Sequence, residues 1–258
     1  MDLLTGEESR AIQPFVELYD RVRLDEGWGG DDLDLPFHPH RHREIWAIRR
    51  RTFQRFESIL AERERGIALD LGAGNCWMTR YLDRWGFDAL AVDINISKVD
   101  GLKAGQKFID SGAKFLRVRA GMERLPFAAN RIRLIAANAS FHYASDFRAT
   151  LSEFSRVLTP GGIAAIIDSP FYQNAVDGER MMAERVVEFQ RKYGMPEALA
   201  HRSRYLTFND FAAVASSLNL AWRIHRVWPG FRRSYERIRA AFAGIHIAEF
   251  PLVVIEKR

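Results

Sequence analysis

The chain has 258 residues, of which 47% are hydrophobic, and its formal net charge is +5. This apolar content excludes a disordered chain, and so mild a basic excess does not by itself indicate nucleic-acid binding. A single cysteine excludes an internal disulfide and predicts a reducing, cytoplasmic location. Residues 1–15 lack the apolar core of a signal peptide. The sequence contains no run of roughly 20 apolar residues, so we expect no membrane span.

The chain is expected to divide into an N-terminal helical and loop cap, residues 1–65, and a larger domain, residues 66–258. In the cap, residues 7–24 have helical spacing that Pro14 is expected to interrupt, because proline removes a backbone donor and clashes with the preceding turn. Residues 26–42 hold three glycines, two prolines and four acids, a composition that predicts a loop.

A second cap helix is predicted over residues 43–66. Apolar side chains recur there with helical spacing, charged side chains lie between them, and Gly66 is a typical stop for such a helix. A basic run such as Arg49 to Arg51 usually forms a solvated helix face, on which the aliphatic parts of the side chains cover apolar surface.

From residue 66 onwards, short apolar segments alternate with helical ones. Strands are expected at residues 67–71, 88–94, 114–120, 131–139, 163–169, 221–229 and 250–258. Helices between strands imply right-handed crossovers and an α/β fold, with a mostly parallel sheet covered on both faces. Residues 171–206 depart from this rhythm next to the expected ligand edge, and we interpret them as a lid-like insertion.

The loop after the first strand has the sequence "LDLGAGNCW". Gly72 and Gly74 allow a sharp turn that brings backbone against a ligand, and the helix expected to begin near Asn75 offers free N–H groups. Asp93 follows about 20 residues later, at the end of the second strand, where an acid binds a ribose diol. Together these features predict a ligand that contains adenosine.

Two residues distinguish between adenosine ligands. A dinucleotide loop of the Gly-x-Gly-x-x-Gly type needs a small third residue near the pyrophosphate, and Trp77 occupies that position. Asp70, just before the loop, would repel a pyrophosphate but suits a ligand with an ammonium group. Both observations disfavour a nicotinamide-dependent oxidoreductase.

Five motifs resemble those of the class I S-adenosylmethionine-dependent methyltransferases, in particular the methyltransferase type 11-like group. They are "LDLGAGNC" (69–76), "AVDI" (91–94), "ERLPF" (123–127), "AANASFHY" (136–143) and "EFSRVLTPGG" (153–162), in the family's order over roughly residues 66–168. The resemblance implies a Rossmann-like, mostly parallel seven-stranded sheet with helices on both faces and an antiparallel last strand. It also implies that S-adenosylmethionine is the methyl donor and S-adenosylhomocysteine the product.

The resemblance further implies roles for individual residues. Asp70 would face the amino group of the methionine part, Asp93 would bind the ribose, and Arg49 would meet the carboxylate. Backbone contacts, the adenine and the methionine tail would involve Gly72, Ala73, Gly74, Asn75, Ile94, Met122, Glu123, Asn138 and Ala139. The chain departs from the family at two positions: Gly121 stands where relatives often have aspartate, and Cys76 replaces the third glycine of the motif.

The candidates for catalysis are His142 and Tyr143, just past the fourth strand. Methyl transfer from a sulfonium needs alignment and exclusion of water, and it needs a general base only if the acceptor loses a proton. The alternative is that both side chains only shape the pocket. Asp168, after the fifth strand, faces the same edge of the sheet. Its side chain would either accept hydrogen bonds from nearby backbone N–H groups or contact the acceptor.

The segment "FHPHRHR" places His38, His40 and His42 at alternating positions. Imidazole is a common metal ligand, but no second group of ligands accompanies these three, so we expect no metal and a polar loop at the edge of the acceptor pocket.

The expected partner is a small-molecule acceptor with an O, N or C nucleophile. The alternatives are an RNA or other macromolecule methyltransferase, a nicotinamide-dependent Rossmann oxidoreductase and a non-catalytic S-adenosylmethionine-binding protein. No clear nucleic-acid module is evident. The sequence predicts neither the identity of the acceptor nor the oligomeric state.

Overall fold

The computed structural model of the protein describes residues 1–28, 33–194, 204–228, 234 and 247–258. The strands in these ranges are β1 Ile67–Leu71, β2 Asp88–Asp93, β3 Leu116–Arg119, β4 Ile132–Asn138, β5 Leu158–Ile167, β6 Phe171–Tyr172, β7 Leu206–Thr207, β8 Ala221–His225 and β9 Leu252–Glu256. The main sheet has seven strands in the order β3-β2-β1-β4-β5-β9-β8. Neighbours among β1 to β5 pair in parallel, whereas β9 is antiparallel to both β5 and β8. The predicted sheet and its antiparallel last strand are confirmed.

Helices cover both faces of this sheet. They are α1 Gly6–Asp25, α2 Arg43–Leu60, α3 Trp77–Arg84, α4 Gln106–Asp110, α5 Phe147–Val157, α6 Ala175–Tyr193 and α7 Phe208–Ser217. Side chains of α2 and α3 pack in one hydrophobic cluster, and those of α5 and α7 pack in another. None of the helices in the described ranges combines the length and apolar character needed to cross a membrane.

Alternation along the buried strands explains why the sheet needs cover on both sides. In β4, Leu134 belongs to the cluster with α2 and α3, while its neighbour Ile135 belongs to the cluster with α5 and α7. Successive side chains of a strand point to opposite faces, so a continuous apolar run buries both faces at once.

Helix α1 runs through Pro14, so the predicted interruption is wrong. Thr5 and Glu8 form a capping box at its start, which satisfies backbone donors that would otherwise lack partners. Phe15, Leu18 and their buried neighbours pack against the α6 side chains Phe189 and Tyr193. Capping and burial along 20 residues outweigh the single backbone hydrogen bond that proline removes.

Helix α2 ends at Leu60, six residues before the predicted stop at Gly66. Arg65 explains the early end, because its guanidinium donates to the carbonyl of Leu60 at 2.9 Å and to that of Trp85 at 2.7 Å. These bonds satisfy a carbonyl at the helix terminus and tie the connection to the turn after α3.

The region predicted as a lid-like insertion contains α6 and is bounded by a small parallel pair. Phe171 of β6 pairs with Leu206 of β7, so the two ends of the region lie side by side. Residues 195–203 fall outside the described part of the chain. Thr207 caps α7 by accepting a hydrogen bond from the backbone of Asp210.

Helix α1 is fastened to the loop that follows β2. Asp20 accepts hydrogen bonds from Asn95 Nδ2 and Ser97 Oγ, each at 2.9 Å. Arg23 forms an ion pair with Asp100, and its guanidinium also lies 4.5 Å from the ring centre of Trp28. These contacts place α1 over the carboxyl ends of β1 and β2.

Candidate active site

Two joined cavities lie at the carboxyl ends of the parallel strands. The larger, about 790 Å³, is lined by the predicted site residues Arg49, Asp70, Gly72, Ala73, Gly74, Asn75, Asn138, Ala139, His142 and Tyr143. The smaller, about 90 Å³, is lined by Asp93, Ile94, Met122 and Glu123, and it shares Gly72, Gly74, Ala139 and Tyr143 with the larger one. The structure therefore brings all of the sequence-predicted site residues to one region.

The loop after β1 requires glycine at position 72. Gly72 has a φ of +71°, and a Cβ built on it would lie 2.3 Å from the Cβ of Ser140. Ser140 Oγ in turn donates to the carbonyl of Leu71 at 2.5 Å, so the turn after β4 rests directly on the end of β1. The first glycine of the motif thus serves close packing of two chain segments as well as the turn.

Asp93 connects the end of β2 to the Gly-x-Gly loop. Its Oδ2 accepts the backbone N–H of Gly74 at 2.7 Å, and its Oδ1 accepts that of Asn95 at 2.8 Å. Burial raises the pKa of this carboxyl to about 6, although the two backbone hydrogen bonds act in the opposite direction. Each carboxylate oxygen retains a lone pair for a further donor, which keeps ribose binding chemically possible.

Asp70 is buried at the base of the large cavity. Thr79 Oγ1 donates to its Oδ2 at 2.5 Å, while its Oδ1 has no hydrogen-bond partner among the described residues. Burial raises the pKa of the carboxyl to about 7, with the contact to Thr79 as the opposing influence. A cationic donor beside Oδ1 would restore the charged form, and the ammonium group predicted for this position is such a donor.

Asn138 and Ala139 end β4 at the wall of the large cavity. Oδ1 of Asn138 is buried and has no partner in the described part of the chain. Ala139 has a φ of +52°, uncommon for a residue with a side chain, and its N–H donates to the carbonyl of Ile167 at 2.7 Å. Strained backbone of this kind concentrates at ligand-binding sites.

His142 and Tyr143 lie on the 3₁₀ turn that follows β4. Burial, together with the charges of Arg185 and Arg49, lowers the pKa of His142 to about 3. The imidazole is therefore neutral at pH 7 and only a weak proton acceptor. Tyr143 packs in an aromatic group with Phe15 and Tyr19 of α1, at ring-centre distances of 6.0 Å.

Arg49 and Asp168 face each other across the large cavity. Arg49 Nε lies 4.0 Å from Oδ2 of Asp168, and its guanidinium lies 5.3 Å and 5.0 Å from the ring centres of Trp28 and Trp46. Oδ1 of Asp168 is buried with no partner in the described ranges, and burial raises the pKa of this carboxyl. The predicted carboxylate-binding arginine thus lies in the cavity, next to an acid.

Other cavity residues carried no recognisable sequence signal. Tyr19, Arg23, Asp100 and Arg185 line the large cavity, although none belongs to a motif. Their placement depends on how α1 and α6 dock, which residue spacing alone does not indicate.

The alternating histidines do not share one site. His40 and His42 line the large cavity, whereas His38 lines a separate groove. His42 stacks on Trp28 with ring centres 3.9 Å apart, and its Nε2 lies 2.8 Å from the carbonyl of Glu26. Within the described residues, no group of three or more His, Cys, Asp or Glu side chains is arranged to hold a metal ion.

The central part of the chain matches a known protein family. A family model described as a methyltransferase domain matches residues 69–166. This range begins in β1 and ends in β5, so it includes the Gly-x-Gly loop, Asp93 and the end of β4.

The chain is also similar to curated methyltransferases. It is 27% identical over 187 residues to the dimethylglycine N-methyltransferase of Parasynechococcus marenigrum (strain WH8102), covering 71% of this chain and 64% of the relative. It is 26% identical over 176 residues to the malonyl-[acyl-carrier protein] O-methyltransferase of Pseudescherichia vulneris, covering 62% and 65%. The chain spans less than two thirds of the length of each of these relatives, whose names indicate different acceptors.

Among solved structures, the chain resembles the geranyl diphosphate C-methyltransferase from Streptomyces coelicolor A3(2), which was crystallised with Mg²⁺, geranyl diphosphate and S-adenosyl-L-homocysteine. The TM-score is 0.61, the identity is 14%, and 97% of each chain is covered. At this level of identity the likeness shows that the fold is shared.

Proposed function

We propose that the chain, whose residues 69–166 match the family model of a methyltransferase domain, is a class I S-adenosylmethionine-dependent methyltransferase that transfers the methyl group of S-adenosylmethionine to a small-molecule acceptor. The observation that carries this proposal is the buried Asp70 Oδ1, which has no partner among the described residues and belongs to a side chain that lines the large cavity. An unpartnered carboxylate oxygen beside a Gly-x-Gly loop is costly unless a ligand supplies a donor. We also propose a cytoplasmic location, on the basis of the single buried thiol of Cys76.

The candidate site has residues suited to each part of S-adenosylmethionine, from the adenosine to the carboxylate. Asp93, Ile94, Met122 and Glu123 would surround the adenosine in the small cavity. Asp70 would accept from the amino group, and Asn138 and Ala139 would border the methionine tail. Arg49 would bind the carboxylate with a guanidinium that stays charged despite a pKa lowered by burial.

When bound, S-adenosylmethionine supplies a methyl group on a positively charged sulfur. In the transfer, the bond from sulfur to the methyl would break with its electron pair left on sulfur, and an electron pair of the O, N or C nucleophile would form the new bond. The chain contributes by holding the two partners in line and by excluding water. Helix α1 supports this role, since its Tyr19 and Arg23 help to wall the large cavity.

The nucleophile of the acceptor has two candidate hydrogen-bonding partners near the cavity. His142 and Tyr143 remain our proposed catalytic residues, placed on the turn after β4. The low pKa of His142 keeps its imidazole neutral and only weakly basic, so we propose that it orients the acceptor by accepting a hydrogen bond from its O–H or N–H. Its Nδ1 lies 3.3 Å from Ser169 Oγ, so one ring nitrogen has a partner in the protein.

Isothermal titration calorimetry tests the proposal directly. Titration with S-adenosylmethionine and with S-adenosylhomocysteine is expected to give saturable binding, and titration with NADH is expected to give none. Binding of NADH alone would overturn the proposal in favour of an oxidoreductase. Formation of S-adenosylhomocysteine in a screen of small acceptors then separates an enzyme from a protein that only binds the cofactor.

A further inference from the structure

Four polar side chains lie at or next to the carboxyl ends of four adjacent strands. Asp93 ends β2, Asp70 lies in β1, Asn138 ends β4, and Asp168 directly follows β5; these strands are consecutive in the sheet. Neighbouring strands lie about 4.8 Å apart, so Asp168 is on the order of 14 Å from Asp93 across the sheet. If adenosine lies at Asp93 and the ammonium group at Asp70, as the proposed function requires, Asp168 faces the part of the cavity left for the acceptor.

Asp168 has an unused hydrogen-bonding capacity at that point. The residue is only 7% exposed, and its Oδ1 has no partner in the described chain. Its Oδ2 is 4.0 Å from Arg49 Nε, longer than a hydrogen bond. The charge of Arg49 and the hydroxyl of Thr52 stabilise this carboxylate in part, but Oδ1 still lacks a donor among the described residues, and a ligand that brings an N–H or O–H donor would satisfy it.

A third cavity, of about 270 Å³, opens from the same place. It shares Trp28, Arg49, Asp168 and Phe250 with the large cavity. We call it the side chamber; its apolar walls are formed by Ile45, Ile48, Val227, Ile247, Ala248, Phe250 and Pro251. Ile45 and Phe250 are 39% and 44% exposed, so the walls include apolar surface that another apolar group would cover.

The charges around the side chamber are already matched in pairs. Arg49 faces Asp168 on the side of the large cavity, and Arg226 Nε lies 3.0 Å from Glu249 Oε2 among the other lining residues. The walls between the two pairs are apolar, so an apolar tail suits the chamber better than a second charged group.

We propose that the methyl acceptor is a small amphipathic molecule, whose amine or hydroxyl head donates a hydrogen bond to Asp168 and whose apolar tail occupies the side chamber. This inference rests on the proposed function, because it assigns the acceptor of that same site. An acceptor with a carboxylate head on the same tail is disfavoured, since its charge would approach Asp168 while Arg49 is engaged by the carboxylate of the cofactor.

Calorimetry on the protein saturated with S-adenosylhomocysteine tests the inference with simple probes. Octylamine and 1-octanol carry the two possible heads on one tail, octanoate carries the disfavoured head, and butylamine and 1-butanol carry a short tail. Octylamine, 1-octanol or both should bind at least tenfold more tightly than octanoate, and the octyl donor that binds should bind at least tenfold more tightly than its butyl counterpart, butylamine or 1-butanol. The stronger of the two octyl donors identifies the head group. Equal or tighter binding of octanoate would overturn the inference.

Two variants separate the head from the tail. Asp168→Asn keeps a side chain that tolerates the residue's φ of +52°; it should lose the preference for donors and bind octanoate more tightly, because the negative charge that faces the head group is gone. Ala248→Phe should fill the side chamber and abolish the advantage of the octyl tail. The matched control Ala213→Phe, on the exposed side of α7, should leave probe binding unchanged.

Different results would contradict the proposed function and the assignment of the acceptor. Loss of S-adenosylhomocysteine binding in the unmodified protein would contradict the proposed function. Normal S-adenosylhomocysteine binding without a preference for octyl donors, or an Asp168→Asn variant with unchanged preferences, would contradict only the assignment of the acceptor.

Discussion

Thr79 donates a hydrogen bond to Oδ2 of Asp70 at 2.5 Å, and Oδ1 of the same carboxylate has no partner among the described residues. The hydroxyl comes from α3, the helix that follows the Gly-x-Gly loop, so the loop closes around one oxygen and leaves the other to the cavity. Because its pKa is about 7, a cation beside this carboxyl would change its protonation state near neutral pH.

The first prediction follows from that pKa. In the free protein, Asp70 is largely protonated below pH 7; an ammonium group beside it favours ionisation, so binding releases a proton. The affinity for S-adenosylhomocysteine should therefore rise as the pH rises from 5.5 to 7. Calorimetry in buffers of different ionisation enthalpy measures the proton release directly. Asp70→Asn should weaken binding at pH 7 and reduce the pH dependence; a pH-independent wild type would contradict the role.

The carboxyl of Asp70 makes ligand affinity rise with pH, but it makes the stability of the free protein fall with pH. Its pKa is raised above the ordinary value of 3.8, so the folded state binds the proton more tightly than the unfolded state does. The contribution to stability is fully present below about pH 4 and is lost as the pH rises to about 7. Urea unfolding of wild type and Asp70→Asn across this range should show a steeper decline for wild type.

The second prediction concerns Asp93. Replacement by alanine removes the proposed acceptor for two ribose hydroxyls and also the partner of Gly74 N–H, so S-adenosylhomocysteine should bind on the order of 100-fold more weakly. Asp88→Ala, at the exposed beginning of the same strand, is the matched control and should bind normally. An unchanged affinity in Asp93→Ala would refute the ribose role.

The third prediction compares two glycines with positive φ. Gly72→Ala should destabilise the protein by about 3 kcal/mol, because the new Cβ would lie 2.3 Å from Ser140 Cβ. Gly86 has a similar φ of +83° but nothing within 4 Å, so Gly86→Ala should cost only about 1 kcal/mol. Denaturant unfolding of both variants isolates the steric contribution. Equal losses of stability in the two variants would mean that Ser140 and the turn after β4 shift at little cost to accommodate the new Cβ.

The fourth prediction concerns the charge state of His142. Burial and two nearby arginines lower its pKa to about 3, so its imidazole should not titrate between pH 5 and 8. Two-dimensional NMR of the histidine ring nitrogens checks this, with His142→Gln identifying the signal by its loss. A midpoint near 6.5 would show that solvent reaches the ring and would make His142 a stronger base than we propose.

Much of the fold was predictable because its signals are local. The seven strands are short apolar runs bounded by turns, and the Gly-x-Gly loop and Asp93 belong to one strand–helix–strand unit. Trp77 served in the sequence as evidence against a pyrophosphate; in the structure its ring packs 5.5 Å from that of Trp46, which shows the further reason for a large residue. The candidate site residues could be proposed from the sequence because all of them except Arg49 lie in or next to these local motifs.

The remainder depends on contacts between distant segments. Pro14 suggested a break in α1 because local propensity opposes proline, whereas burial against α6 decides the outcome. The end of α2 at Leu60 depends on Arg65, five residues away, bending back onto the helix. The side chamber joins residues of α2 to residues near 250, and no pattern within either segment indicates that they meet.

The first three residues lie alongside β3, at the edge of the main sheet. Leu3 N–H donates to the carbonyl of Arg119 at 3.0 Å, Arg119 N–H donates to that of Met1 at 2.8 Å, and Asp2 forms an ion pair with the Arg119 guanidinium. An uncovered edge strand offers its backbone groups to other chains. This short segment occupies those groups at one end of β3, so the strand of another chain cannot pair with them there.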